Sequence, residues 1–151
     1  MKRKKTITTI SLILLLLLAS CGSSSDDPAA AIKAYHDGLT AFNSEITELS
    51  ARMDAIDINA EDASTVLLIC LDEMNTHFEE LAALSVPDEY NGAKGLAVQA
   101  YSSMSEAVNL YHQLYSAETF DPELSSRAKL RYDEAMGFVD SIGALIMNYS
   151  D

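Results

Sequence analysis

The chain has 151 residues, the length of one domain, and carries 10 Lys and Arg against 23 Asp and Glu, a formal net charge of −13. Four of the ten cations fall in the first five residues and no acid precedes Asp26, so residues 21–151 hold six cations against all 23 acids, or −17. That balance lacks the basic patch that nucleic-acid phosphates require, an apolar content of 48% argues against a disordered chain, and two cysteines do not make a disulfide scaffold.

The chain opens with a basic run, Lys2-Arg3-Lys4-Lys5, followed by an apolar stretch from Ile7 to Leu18 and then the small residues Ala19 and Ser20 before Cys21. A charged start, a short apolar core and a small-residue cleavage site are the parts of a secretory signal. The apolar stretch is shorter than the ~20 residues that a membrane-spanning helix needs.

Leu18-Ala19-Ser20-Cys21 resembles the lipobox of bacterial lipoproteins, with all four positions matching. The resemblance covers residues 1–21 and implies nothing about the rest. It implies that Cys21 is diacylglycerated at sulfur, that a dedicated peptidase cuts before it, and that Cys21 becomes the mature N-terminus. Residues 1–20 are then the signal peptide. Two or three acyl chains hold such a protein stably, where one chain is marginal at about 0.8 kcal/mol per buried methylene. The implied location is the cell membrane or the outer membrane, facing away from the cytoplasm. Gly22 follows the cysteine, where an Asp commonly signals inner-membrane retention in Gram-negative lipoproteins.

Residues 21–27 form the lipidated cysteine and a small polar linker. Six residues reach at most about 20 Å, so the domain of residues 28–151 stands close to the membrane.

No strand signal follows, because alternation at period two never persists. The first predicted helix is capped by Asp27 and opened by Pro28. Its apolar seam is Ile32, Tyr35, Leu39, Phe42, Ile46, Leu49, Met53 and Ile56, in steps of 3, 4, 3, 4, 3, 4, 3. Asp57-Ile58-Asn59 breaks it. The second helix is expected from about Ala60 to Leu84, with Asn59 as its cap. Its seam is Ala63, Leu67, Cys70, Met74, Phe78 (or His77), Leu81 and Leu84. Val86-Pro87 ends it.

A third helix is expected from Pro87 or Asp88, with the seam Tyr90, Ala93, Ala97, Tyr101, Met104, Val108, Tyr111 and Tyr115. Glu118-Thr119-Phe120 is the next break. The fourth helix is capped by Asp121 and opened by Pro122, with the seam Leu124, Ala128, Tyr132, Ala135, Phe138 or Val139, Ile142, Leu145 and Tyr149. Four amphipathic helices of similar length joined by short loops predict an all-α, antiparallel up-down-up-down four-helix bundle.

Chemistry-bearing patterns are sparse. Di-iron bundles use Glu-x-x-His, and none of His36, His77 or His112 has a Glu three residues before it. Glu73 and His77 share a helix face, which reads as a solvated pair, so neither metal nor cofactor is expected. Asp57 to Asp62 resembles the start of an EF-hand loop, but Asp62 stands at the glycine position and Leu68 at that of the bidentate Glu. Cys70 lies on a seam and reads as a small core residue. No Gly-x-Ser-x-Gly or glycine-rich phosphate loop occurs, and no catalytic residue is assigned.

The expectation is a lipid-anchored, non-catalytic binding or interaction module, with a membrane partner through the lipid on Cys21, no nucleic acid, and a protein or small-molecule partner the sequence does not identify. The alternative is a small-ligand bundle with a pocket between the third and fourth helices, where Tyr101, Tyr111, Tyr115, Tyr132 and Tyr149 lie on the seams. Arg127, Lys129 and Arg131 form a candidate basic patch for an anionic partner.

Overall fold

A computed structural model describes residues 27–149. The signal segment, Cys21 and the linker before Asp27 lie outside the described residues. Four α-helices account for most of what is described: α1 (Pro28–Asp54), α2 (Ala63–Ala83), α3 (Ala93–Ser116) and α4 (Pro122–Tyr149). One turn of 3-10 helix, Asp88–Tyr90, precedes α3, and no strand occurs among the described residues. The architecture is an all-α helical bundle. No helix among the described residues is long and apolar enough to cross a membrane.

The helix starts follow from local chemistry. The Asp27 side chain accepts from the Ala29 N–H at 3.0 Å, with Pro28 in the first turn. Asp121 Oδ1 accepts from the N–H groups of Glu123 and Leu124 at 2.9 and 3.1 Å. Such caps stabilise a helix by about 1 kcal/mol each. Asn59 does not cap the second helix. Its backbone N–H and its side-chain amide both donate to Asp57 Oδ1, at 3.0 and 3.1 Å, making an Asx turn. The turn holds residues 57–62 out of helix, so α2 begins at Ala63 rather than Ala60.

Between α2 and α3, Leu84 is extended (ψ 140°) and Pro87 permits only a 3-10 turn before the helix proper starts at Ala93. Lys94 reaches back and donates from Nζ to the Ala82 carbonyl, with Leu84 O at 3.5 Å. It satisfies carbonyls that the end of α2 leaves without helical partners.

The core draws on every helix. Tyr35, Phe42, Ile46 and Leu49 of α1 meet Cys70, Leu71, Met74, Phe78 and Leu81 of α2. Tyr90 of the 3-10 turn, Ala93, Ala97, Ala100, Met104 and Val108 of α3 and Ala135, Ile142 and Ile146 of α4 complete it. Phe42 and Phe78 pack edge to face with centroids 5.2 Å apart. A fully buried phenylalanine of this kind contributes about 2–3 kcal/mol.

Two glycines permit close approach. A Cβ on Gly38 would stand 2.9 Å from Leu84 Cδ2, and one on Gly92 2.8 Å from Leu145 Cδ1.

The contact between α3 and α4 is the most extensive in the bundle, and both helices bury small residues. Ala93, Ala97, Ala100 and Ala107 are buried on α3, as are Ala128 and Ala135 on α4. By contrast, α1 packs against α2 and meets α4 only sparsely.

Two expected seams shift. On α3 the wide face required to touch both α2 and α4 buries Ala100, Ala107, Leu110 and Leu114, while Tyr101 and Tyr111 are half-buried and Tyr115 is exposed. On α4 the last buried step is Ile142 to Ile146, which leaves Leu145 half-buried and Tyr149 exposed.

Candidate functional site

The Asx turn at Asp57 determines what the loop after α1 presents. With the backbone folded back by the Ala60 N–H to Asp57 O bond of 2.9 Å, Ile58 points outward and is 88% exposed. Beside it lies a groove of about 370 Å³ bounded by Met53, Ile56, Ile58, Ala63, Leu67 and Tyr115. Phe120, 70% exposed, stands in the α3–α4 loop five residues beyond Tyr115. Scattered exposed apolar residues are ordinary, but large ones gathered at a groove form a surface suited to binding.

Acids border this surface. Asp54, Asp57, Glu61 and Asp62 fall within residues 54–62, and that stretch contains no cation. Glu61 also lines the groove. Large apolar residues inside loop segments, Ile58 in Asp57-Ile58-Asn59 and Phe120 in Glu118-Thr119-Phe120, were the available sequence signal. They read only as helix breaks because periodicity arguments ignore loops.

A second groove, of about 380 Å³, runs where α1 and α4 stand apart. Leu39 and Phe42 of α1, Leu81 of α2 and Val139, Ile142 and Met147 of α4 line it. Met147 is 73% exposed.

The candidate basic patch is largely neutralised. Lys129 Nζ lies 2.5 Å from Asp133, and Arg131 lies 3.0 Å from Glu106 and 2.7 Å from Glu134. Arg127 makes no ion pair among the described residues, so one cation of the three is left unpaired.

The seam tyrosines converge in part, with Tyr115 of α3 and Tyr132 of α4 both within electrostatic reach of Tyr111. Tyr111 and Tyr115 stack with centroids 6.5 Å apart on α3. Burial pushes the Tyr111 and Tyr132 hydroxyls above the ordinary tyrosine pKa, although Ser50 on α1 works the other way at Tyr132. Tyr149 makes an edge contact with Tyr90 at 6.0 Å, and Tyr101 is half-buried. Of the five, Tyr115 lines the groove beside Ile58, which lies against α1 and α2 rather than between α3 and α4.

Glu73 and His77 are each engaged elsewhere. Glu73 pairs with Arg52 across to α1, and that hydrogen bond holds its carboxyl below the usual carboxylate range. His77 instead contacts Glu45 and Glu80. His112 Nε2 lies 2.8 Å from Asp72, and His36 Nε2 lies 2.9 Å from the Tyr90 hydroxyl. Cys70 is fully buried in the core. Comparison of the chain with protein-family models, with curated proteins and with solved structures finds no match in any of the three.

Proposed function

We propose that this chain is a lipid-anchored cell-envelope protein, held by acyl chains on Cys21, whose helical domain is a non-catalytic interaction module. Its working surface is the acid-bordered groove lined by Ile58 and Tyr115, together with the exposed Phe120 of the α3–α4 loop. The single observation carrying this reading is the position of that groove. It opens at the far end of α1, whose 27 residues run about 40 Å from the Asp27 cap. With Cys21 tethered six residues before Asp27, a groove one helix length away faces outward from the membrane.

The same reading takes the four helices as an antiparallel up-down-up-down bundle. Cross-helix partners support it, because one member rises as the other falls. Gly38 meets Leu84, Glu45 meets His77 and Arg52 meets Glu73 between α1 and α2. Gly92 meets Leu145 and Glu106 meets Arg131 between α3 and α4.

The partner that fits is a protein segment with an apolar face and basic residues, since the groove is apolar and its border anionic. The test is photo-crosslinking in intact cells, with a photoreactive side chain placed at Phe120 or at Lys33 near the tether. A discrete protein adduct from Phe120, lost on Ile58→Asp and absent from Lys33, is the expected result. Adducts of equal yield from both positions, or from Lys33 alone, would contradict the assignment.

A further inference from the structure

We propose that Glu45 of α1, together with His77 and Glu80 of α2, forms a binding site for a divalent transition-metal ion of the zinc type. Nδ1 of His77 lies 2.8 Å from Glu45 Oε2 and 2.9 Å from Glu80 Oε2. All three ligand atoms lie within 4.8 Å of one another. A single ring nitrogen therefore faces two carboxylate oxygens.

The protonation chemistry of that arrangement is incomplete. Nδ1 carries at most one hydrogen, which makes a good bond to one carboxylate only. The other oxygen shares it poorly, and the two carboxylates repel each other. A divalent cation in place of the proton offers a bond to each of the three atoms and neutralises both carboxylates. In tetrahedral geometry with bonds of about 2.0–2.1 Å, ligand atoms stand roughly 3.3 Å apart. The two N–O distances of 2.8 and 2.9 Å are a few tenths of an ångström short of that spacing, and rotation of the exposed glutamate side chains adjusts the separation of their oxygens, which is no more than 4.8 Å.

The donor set selects the class of ion. One imidazole nitrogen with two carboxylates suits Zn²⁺ and its neighbours, whereas Mg²⁺ and Ca²⁺ take oxygen ligands alone. Access is open, because the side chains of Glu45 and Glu80 are 46% and 64% exposed. A shallow cleft of about 190 Å³ adjoins the three residues, with Phe42, Leu81 and Leu84 on its apolar side. It has room for water as a fourth ligand. His77 and Glu80 stand three apart on α2, so the helix itself holds two ligands on one face, while Glu45 comes from the neighbouring helix. The ion would bridge α1 and α2. Glu73, the acid one turn before His77, is held by Arg52 and does not compete.

The test titrates the untagged full-length chain, extracted in detergent, with ZnCl₂ by calorimetry, and with CoCl₂ by visible absorption. The wild-type chain is expected to bind one Zn²⁺ at micromolar concentration and to show the intense bands of low-coordinate Co²⁺. His77→Gln and Glu80→Gln should each weaken binding by about tenfold or more. His112→Gln, which disrupts the comparable His112–Asp72 pair, should leave it unchanged. Glu80 is mostly exposed, so Glu80→Gln keeps its fold even if His77→Gln does not. Absence of stoichiometric binding at 100-fold molar excess, or equal affinity in wild type and Glu80→Gln, would overturn the site.

Discussion

The Tyr90 hydroxyl lies 2.9 Å from Nε2 of His36, which ties the turn before α3 to the first third of α1. The residue next to His36 has no such partner. Tyr35 packs its ring 5.8 Å from Tyr90, is 2% exposed, and leaves its hydroxyl without a hydrogen bond among the described residues. A buried unsatisfied hydroxyl costs roughly 1–3 kcal/mol. Tyr35→Phe removes it and keeps the ring, so the urea midpoint should rise, by an amount equivalent to about 1 kcal/mol. A fall in the midpoint would show that the hydroxyl has a partner.

Three tyrosines set an alkaline limit. Burial raises the pKa of Tyr35, Tyr111 and Tyr132. The folded chain therefore keeps protons that the unfolded chain releases near pH 10. Their contribution is fully present below about pH 10 and is lost as pH rises through the higher folded values. Denaturant midpoints should hold from pH 8 to about 9.5 and fall beyond, together with the rise of tyrosinate absorbance. A midpoint insensitive to pH between 9.5 and 11.5 would be inconsistent with burial of these hydroxyls.

Gly137 sits mid-way along α4, exposed, and a Cβ there meets nothing within 4 Å. Gly137→Ala should stabilise the domain by about 0.5–1 kcal/mol through helix propensity and a less flexible unfolded chain. Thermal unfolding followed by circular dichroism reads this directly, and a destabilised variant would mean that α4 bends or packs differently at that point.

The register of α1 is tested by a contrast. Ile46 is 6% exposed and Glu48, two residues on, is exposed. Ile46→Asp buries a charge in the core and should cost several kcal/mol, whereas Glu48→Ala should change stability by less than about 0.5 kcal/mol. Comparable losses from both would refute the register.

The parts of the fold that depend on neighbouring residues were legible in the sequence. Asp27-Pro28 and Asp121-Pro122 begin helices because cap and proline act within one turn. The 3–4 seam of α1 locates Tyr35, Phe42, Ile46 and Leu49 because that helix buries a narrow stripe. What failed depended on competition or on distant partners. Asn59 is a good cap residue, yet its side-chain amide turns back to donate to Asp57 Oδ1, as its backbone N–H does. A narrow seam on α3 favoured tyrosines over Ala100, Ala107 and Leu114, because nothing local says that this helix has close neighbours on two sides.

The candidate sites were less legible still. Glu45 and His77 are 32 positions apart, so their meeting follows only from how α1 is set against α2. Glu73, the nearer acid on the same face, was the visible candidate and is taken by Arg52. Ile58 and Phe120 sit in segments where periodicity carries no information.

The proposed outward orientation of the Ile58 groove rests on a tether at Cys21, and intact mass spectrometry of the protein extracted from membranes tests that tether most directly. The account predicts a mature chain beginning at Cys21 and carrying the mass of two or three acyl chains, with Cys21→Ser leaving an unacylated precursor or a protein released from the membrane. A membrane-bound chain of unmodified mass, or normal processing and membrane retention of Cys21→Ser, would contradict it.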